Sequence, residues 1–179
     1  MKITQYLLYK LGRKSPSERV IDKIRSGGGK VGSNVQILNS SIDLRIPYLI
    51  SIGNNVTITG ATLLTHDATT KMELGYTKFG SINIGNNVFV GIGSIILPCT
   101  SIGDKVIIGS GCVVGKDIPS NSVVIGNPCR IICTYDDYIE KYRKEIDAGK
   151  VKVFDMSPYQ IVESNANEQV PEGKMFFAL

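Results

Sequence analysis

The strongest constraint on this chain is a six-residue rhythm. Ile84, Val90, Ile96, Ile102, Ile108 and Val114 stand one every six residues. Gly85, Gly91, Gly103, Gly109 and Gly115 follow directly, with Leu97 the exception. Four places after each aliphatic comes Val88, Ser94, Thr100, Val106, Cys112 or Ile118, all small or β-branched. An earlier block, Ile52, Ile58 and Leu64 with Gly53, Val56 and Thr62, keeps the phase, and a fainter start lies at Val31-Gly32, Val35 and Ile37. A period of six matches neither a helix nor a long alternating strand. It fits a short strand, a turn and another strand on a new face, each face turning one aliphatic inward. Asn54-Asn55 and Asn86-Asn87 occupy equivalent turns, where positive φ is tolerated. Stacked coils of this kind bury a column of Ile and Val and satisfy each other's backbone groups. The spacing therefore predicts a parallel β-helix in an all-β chain. Ordinary strands with Gly turns would not keep this phase: with Ile, Val and Leu at 50 of 179 residues, six hits arise by chance about once in 2,000.

Composition agrees. There are 24 Ile and 15 Val against 11 Leu and 5 Ala, and a stiff branched Cβ suits a pleat better than a helical turn. The 19 Gly supply tight turns. A chain of 179 residues suits one domain with a sizeable core. Within it we delimit an N-terminal helical cap (1–30), a β-helix (31–134) and a C-terminal helix and tail (135–179). In the cap, Ser15-Pro16-Ser17-Glu18 reads as a capping box with Pro at the first helical position. Val20, Ile21 and Ile24 form an apolar stripe, ended by Gly27-Gly28-Gly29. Residues 2–12 suggest a second amphipathic helix, both helices closing an open end of the coil. After the coil, Tyr135, Tyr138, Ile139, Tyr142 and Ile146 follow helical spacing up to Gly149, and 150–179 show no period.

The rhythm breaks once. Leu64 and Ile84 are 20 residues apart, not a multiple of six, so a loop of about 65–83 leaves the coil. Long loops on rigid scaffolds carry function, and this one holds the chain's single histidine, His66. Imidazole, with an unperturbed pKa of about 6.5, is poised to take a proton near neutrality. A carboxylate or carbonyl must fix its tautomer, and adjacent Asp67 and a backbone carbonyl are equal candidates.

The repeat, together with the closing segment GSGCVVGKDIPSNSVVIGNPCRII, resembles the hexapeptide-repeat acyltransferases over residues 31–134. THDATTK…GYTK is closer still to acyltransferases of bacterial surface-polysaccharide genes, while His66 matches the catalytic position of galactoside- and maltose-type O-acetyltransferases. The resemblance implies a left-handed β-helix and a homotrimer with acetyl-coenzyme A between adjacent subunits. It implies direct acetyl transfer to a hydroxyl of a saccharide, as in a surface-polysaccharide precursor, with His66 as general base. Backbone N–H groups around Gly91 and Ile92 match the family's oxyanion position. Phe89 replaces the Trp of the family's NNVWIG segment. Ser110, Gly115 and Lys116 match cofactor-contacting positions, Gly115 in place of Thr, and Lys116 and Arg130 are suited to the nucleotide phosphates. Acceptor contacts fall among Asn39, Asp43 and Arg45 of the early coils and Asp67, Tyr76 and Lys78 of the loop. An antibiotic, serine or an amino sugar is the alternative acceptor, and a non-catalytic scaffold the alternative class. Thirty residues cannot supply the long helical domain usual before the coil of serine acetyltransferases.

Charge and cysteine usage exclude further classes. Residues 1–30 carry eight Lys/Arg and two acids, against six and five in 31–134 and six and nine in 135–179. The basic N-terminus permits peripheral contact with anionic lipid, but no nucleic-acid-binding motif is present. One histidine cannot build a three-His metal centre within a subunit, and no metal is expected. Cys99, Cys112, Cys129 and Cys133 show no disulfide pattern and no run reaches a membrane span, so a cytoplasmic protein with reduced thiols is expected.

Overall fold

The computed structural model describes residues 14–155 and 176–178. The expected helix over 2–12 lies outside them, as does most of the tail. Helix α1 (Pro16–Ser26) opens the described chain with the expected capping box: Ser15 N donates to Glu18 Oε2 at 2.6 Å, and Glu18 N donates to Ser15 Oγ at 3.2 Å. Ile21 and Ile24 are buried against the first coil, and the Ile37 N–H donates to Ser17 Oγ at 2.8 Å. The helix thus covers an apolar end that would otherwise meet water.

The first coil consists of β1 (Lys30–Val31), β2 (Val35–Leu38) and β3 (Ser41–Ile42). A 3₁₀ turn at Pro47–Leu49 leads to β4 (Ile50–Ile52), β5 (Val56–Thr59) and β6 (Thr62–Leu63). An insert then departs: β7 (His66–Asp67), the single turn α2 (Lys71–Leu74) and β8 (Lys78–Phe79), with β7 and β8 antiparallel. The coil resumes with β9 (Ile82–Ile84), β10 (Val88–Val90) and β11 (Ile95–Ile96), then β12 (Thr100–Ile102), β13 (Val106–Ile108) and β14 (Val113–Val114). It closes through β15 (Ser122–Ile125) and an antiparallel β16 (Arg130–Cys133).

Three parallel faces result, in the orders β1-β4-β9-β12, β2-β5-β10-β13-β15 and β3-β6-β11-β14, forming a left-handed parallel β-helix. Register explains the rhythm. Val31, Ile52, Ile84 and Ile102 stack on one face, and Ile37, Ile58, Val90, Ile108 and Val124 on the next. Ile58, Val90, Ile108 and Val124 retain no exposure, and burying such a side chain contributes about 1.5–3 kcal/mol each. On the third face the column is Ile42, Leu63, Ile96 and Val114, so Leu63 takes the place expected of Leu64, and Ala61 the small-residue place expected of Thr62. The cause is a corner one residue shorter in the first two coils, where Asn39 and Gly60 adopt φ of 50° and 54°. At another corner Asn34, Asn55 and Asn87 repeat φ of 51–55° and join by amide hydrogen bonds of 3.0 and 3.1 Å. Successive coils pass so closely there that a Cβ on Gly53 would stand 2.6 Å from Gly85 O.

Helix α3 (Tyr135–Asp147) forms over the expected segment, capped by Thr134 Oγ1 on Asp137 N at 3.1 Å. Its Tyr and Ile stripe is not buried in the chain, although Tyr142 meets Phe177 edge-on at 5.8 Å. β17 (Lys152–Phe154) and β18 (Phe176–Ala178) pair in parallel beyond it.

Candidate active site

His66 stands at the base of the insert, where the chain turns off the third face just after the buried Leu63. Its Nδ1 hydrogen-bonds to Asp43 Oδ2. Asp43 follows Ile42, the residue stacked directly beside Leu63, so coil-to-coil register brings the two side chains together. The same carboxylate oxygen accepts from Thr65 Oγ1 at 2.8 Å, and Oδ1 accepts from Arg45 N at 3.3 Å. Thr65 is buried, the Asp43 side chain is 6% exposed and His66 27% exposed. Burial works to raise the Asp43 carboxyl, but the hydrogen bonds from His66, Thr65 and Arg45 outweigh it and hold the group below its ordinary range. Asp43 is therefore a carboxylate at neutral pH and can only accept, so Nδ1 carries the shared proton and, in a neutral ring, the lone pair lies on Nε2.

Asp67, the carboxylate candidate for orienting His66, turns the other way. It pairs with Lys78 Nζ at 2.6 Å and accepts from Thr69 N at 2.8 Å, and the Lys78 ammonium is the chief cause of a pKa lowered to about 2. In place of either candidate, Asp67 or a backbone carbonyl, it is Asp43, assigned from sequence only to acceptor contact, that meets Nδ1. Lys78 is committed to the hairpin, and Tyr76 is exposed on the loop. Phe79, which sequence reasoning passed over, lies opposite His66 across the hairpin, its ring 6.1 Å from the imidazole. Its only signal was a second aromatic near Tyr76 in the loop.

An open groove of about 500 Å³ lies beside the dyad, lined by Asp43, Arg45, His66, Leu44, Leu64 and neighbouring residues. Asn39 is absent from this lining and instead turns the preceding corner. On the second face Phe89 is 43% exposed in β10, and Ile92 follows at 61%. The Gly91 N–H donates to Ile108 O at 2.8 Å, so of the two amides expected to serve an oxyanion it is already committed; that of Ile92 has no backbone partner among the described residues. Ser110, Gly115, Lys116 and Arg130 are exposed around the later coils, and neither cation forms an ion pair among the described residues. No cluster of metal-ligating side chains occurs among the described residues.

A coil of hexapeptides carrying an Asp-oriented imidazole beside a groove defines a class, and known proteins identify it. Residues 81–116 match the family described as bacterial transferase hexapeptide (six repeats). Protein CapG of Staphylococcus aureus is 39% identical over 169 residues, spanning 86% of this chain and 95% of CapG. Galactoside O-acetyltransferase of Escherichia coli K12 is 37% identical over 128 residues, 64% of this chain and 63% of that protein. A maltose O-acetyltransferase from Clostridium difficile 630 superposes with a TM-score of 0.50 at 32% identity, covering 68% of this chain and 77% of that one. A galactoside acetyltransferase in complex with coenzyme A gives 0.52 at 28%, covering 76% and 80%. The chain belongs to the hexapeptide-repeat transferases, and within them to the acetyl-coenzyme A-dependent acetyltransferases.

Proposed function

We propose that the chain transfers an acetyl group from acetyl-coenzyme A to a hydroxyl of a saccharide, as in a surface-polysaccharide precursor, with His66 as general base. The carrying observation is the hydrogen bond from His66 Nδ1 to a buried Asp43 carboxylate at the edge of a groove. With Nδ1 committed, Nε2 takes the acceptor's hydroxyl proton while its oxygen forms the new ester. Asp43 stabilises the imidazolium that results. The donor supplies a thioester whose carbon–sulfur bond breaks, and its sulfur leaves with the electron pair and is protonated by the imidazolium or by water. The chain's residues fit such a donor: Phe89 and Ile92 are exposed apolar side chains suited to its arm, Lys116 and Arg130 are cations suited to its phosphates, and Ser110 and Gly115 border the same coils. The Ile92 N–H is the amide suited to the developing oxyanion, where such donors contribute about 3–4 kcal/mol.

The reading extends to a cytoplasmic homotrimer, with 1–30 and 135–179 flanking the catalytic coil and the basic N-terminus able to rest on anionic lipid. No helix of the described residues is long and apolar enough to cross a membrane. The test is coenzyme A release from acetyl-coenzyme A over a panel of sugars, nucleotide sugars, serine and chloramphenicol. We expect sugar-stimulated release that falls by at least about 10²-fold in a folded His66→Ala variant. Undiminished release in that variant removes His66 as base; stimulation by serine or chloramphenicol alone removes the saccharide.

A further inference from the structure

The groove beside His66 is lined by three charge-bearing side chains, and two of them are spent on each other. Asp43 gives Oδ2 to His66 and Thr65, and Oδ1 to the Arg45 backbone. Arg45 is different. It lines the groove and is exposed, and its guanidinium has neither an ion-pair nor a hydrogen-bond partner among the described residues. Much of the remaining lining, Ile42, Leu44, Leu63 and Leu64, is aliphatic and offers the guanidinium no acceptor side chain. A planar guanidinium in such a setting is built for bidentate pairing with a carboxylate or phosphate. The carboxylate that orients His66 also accepts the Arg45 backbone N–H, which places the main chain that carries the guanidinium at the same groove as the imidazole.

We propose that the acceptor is an anionic saccharide, and that Arg45 binds its carboxylate or phosphate while His66 addresses a hydroxyl of the same molecule. The inference rests on the groove being the acceptor site of the acetyl transfer. A neutral sugar would leave the cation without a partner; an anionic one satisfies it and fixes which hydroxyl reaches Nε2.

The chain's single histidine allows a direct test. The His66 imidazole resonance of ¹³C-histidine-labelled full-length protein, with coenzyme A present, is followed while galactose 1-phosphate, galacturonic acid, methyl β-galactoside or inorganic phosphate is added. At least one anionic sugar is expected to bind about tenfold or more tightly than the methyl galactoside at low salt, with the preference lost in Arg45→Gln. Preference for the sugar phosphate assigns a phosphate, for galacturonic acid a carboxylate. Inorganic phosphate matching the sugars reduces the site to a free-anion site and overturns the proposal. So do equal binding of the neutral sugar, a preference that persists in Arg45→Gln, or no response to any sugar. Anion preference that depends on Arg45 without acetylation of any sugar keeps the groove as an anion-binding site but defeats the acetyl-transfer reading, and with it the assignment of the bound sugar as acceptor. Acetylation of the neutral sugar with no dependence on Arg45 does the reverse.

Discussion

Thr65 is a residue with no reactive chemistry whose hydroxyl bears on the site's chemistry. It is buried and donates to the oxygen of Asp43 that also meets His66 Nδ1. Thr65→Val removes that donor at nearly constant volume, leaving the carboxylate less stabilised as an anion and pairing more strongly with imidazolium. We expect the acidic limb of the kcat/KM profile to move up in Thr65→Val and to return in Thr65→Ser, with a stability loss of about 1.5–3 kcal/mol for a bond to a charged group. An unshifted profile alongside the stability loss would make Thr65 a packing residue only. His66 was legible from sequence as the one histidine in the one break of the repeat. The roles of Asp43 and Thr65 were not, because a partner 23 residues away meets His66 through coil stacking, beyond corners at Asn39 and Gly60 where the rhythm shortens.

The insert was legible as a departure from the coil but not as a hairpin. Strands of two residues and a helix of four are too short for any periodicity to show. What ties its two strands together beyond the backbone is Asp67 on Lys78. Asp67 titrates near 2 when folded, below an ordinary aspartate near 4, so the pair favours the closed hairpin above about pH 4 and that contribution fades as pH falls towards 2. Carboxyl-carbon NMR at pH 3 is expected to find Asp67 ionised in the wild type and measurably more protonated in Lys78→Met, where only the hydrogen bonds from Thr69 still favour the anion. Identical titration in the two proteins would mean that the exposed ammonium contributes nothing.

For the whole molecule, the stacking and the columns of the first two faces followed from a period of six, because each inward aliphatic must meet its copy in the next coil, whereas on the third face the shorter corners put Leu63 where Leu64 was expected. Handedness and assembly did not follow from spacing, since a period fixes how often the chain turns and not which way. Assembly bears on the site through its exterior. Phe89 and Ile92 point outward from the second face, as do Ile125 and Ile131 further along it, and the groove at His66 is open to one side. A neighbouring copy against these side chains would remove apolar area from water and supply a second wall for the donor. If the proposed trimer forms through this face, sedimentation equilibrium is expected to give three times the 19.5 kDa chain mass, and Ile92→Glu to lower both the assembled fraction and the affinity for acetyl-coenzyme A. Proximity to the donor alone would weaken cofactor binding without dissociating the trimer. A monomer that binds acetyl-coenzyme A and turns over normally would show that one coil suffices, and that the donor lies along a single subunit's surface.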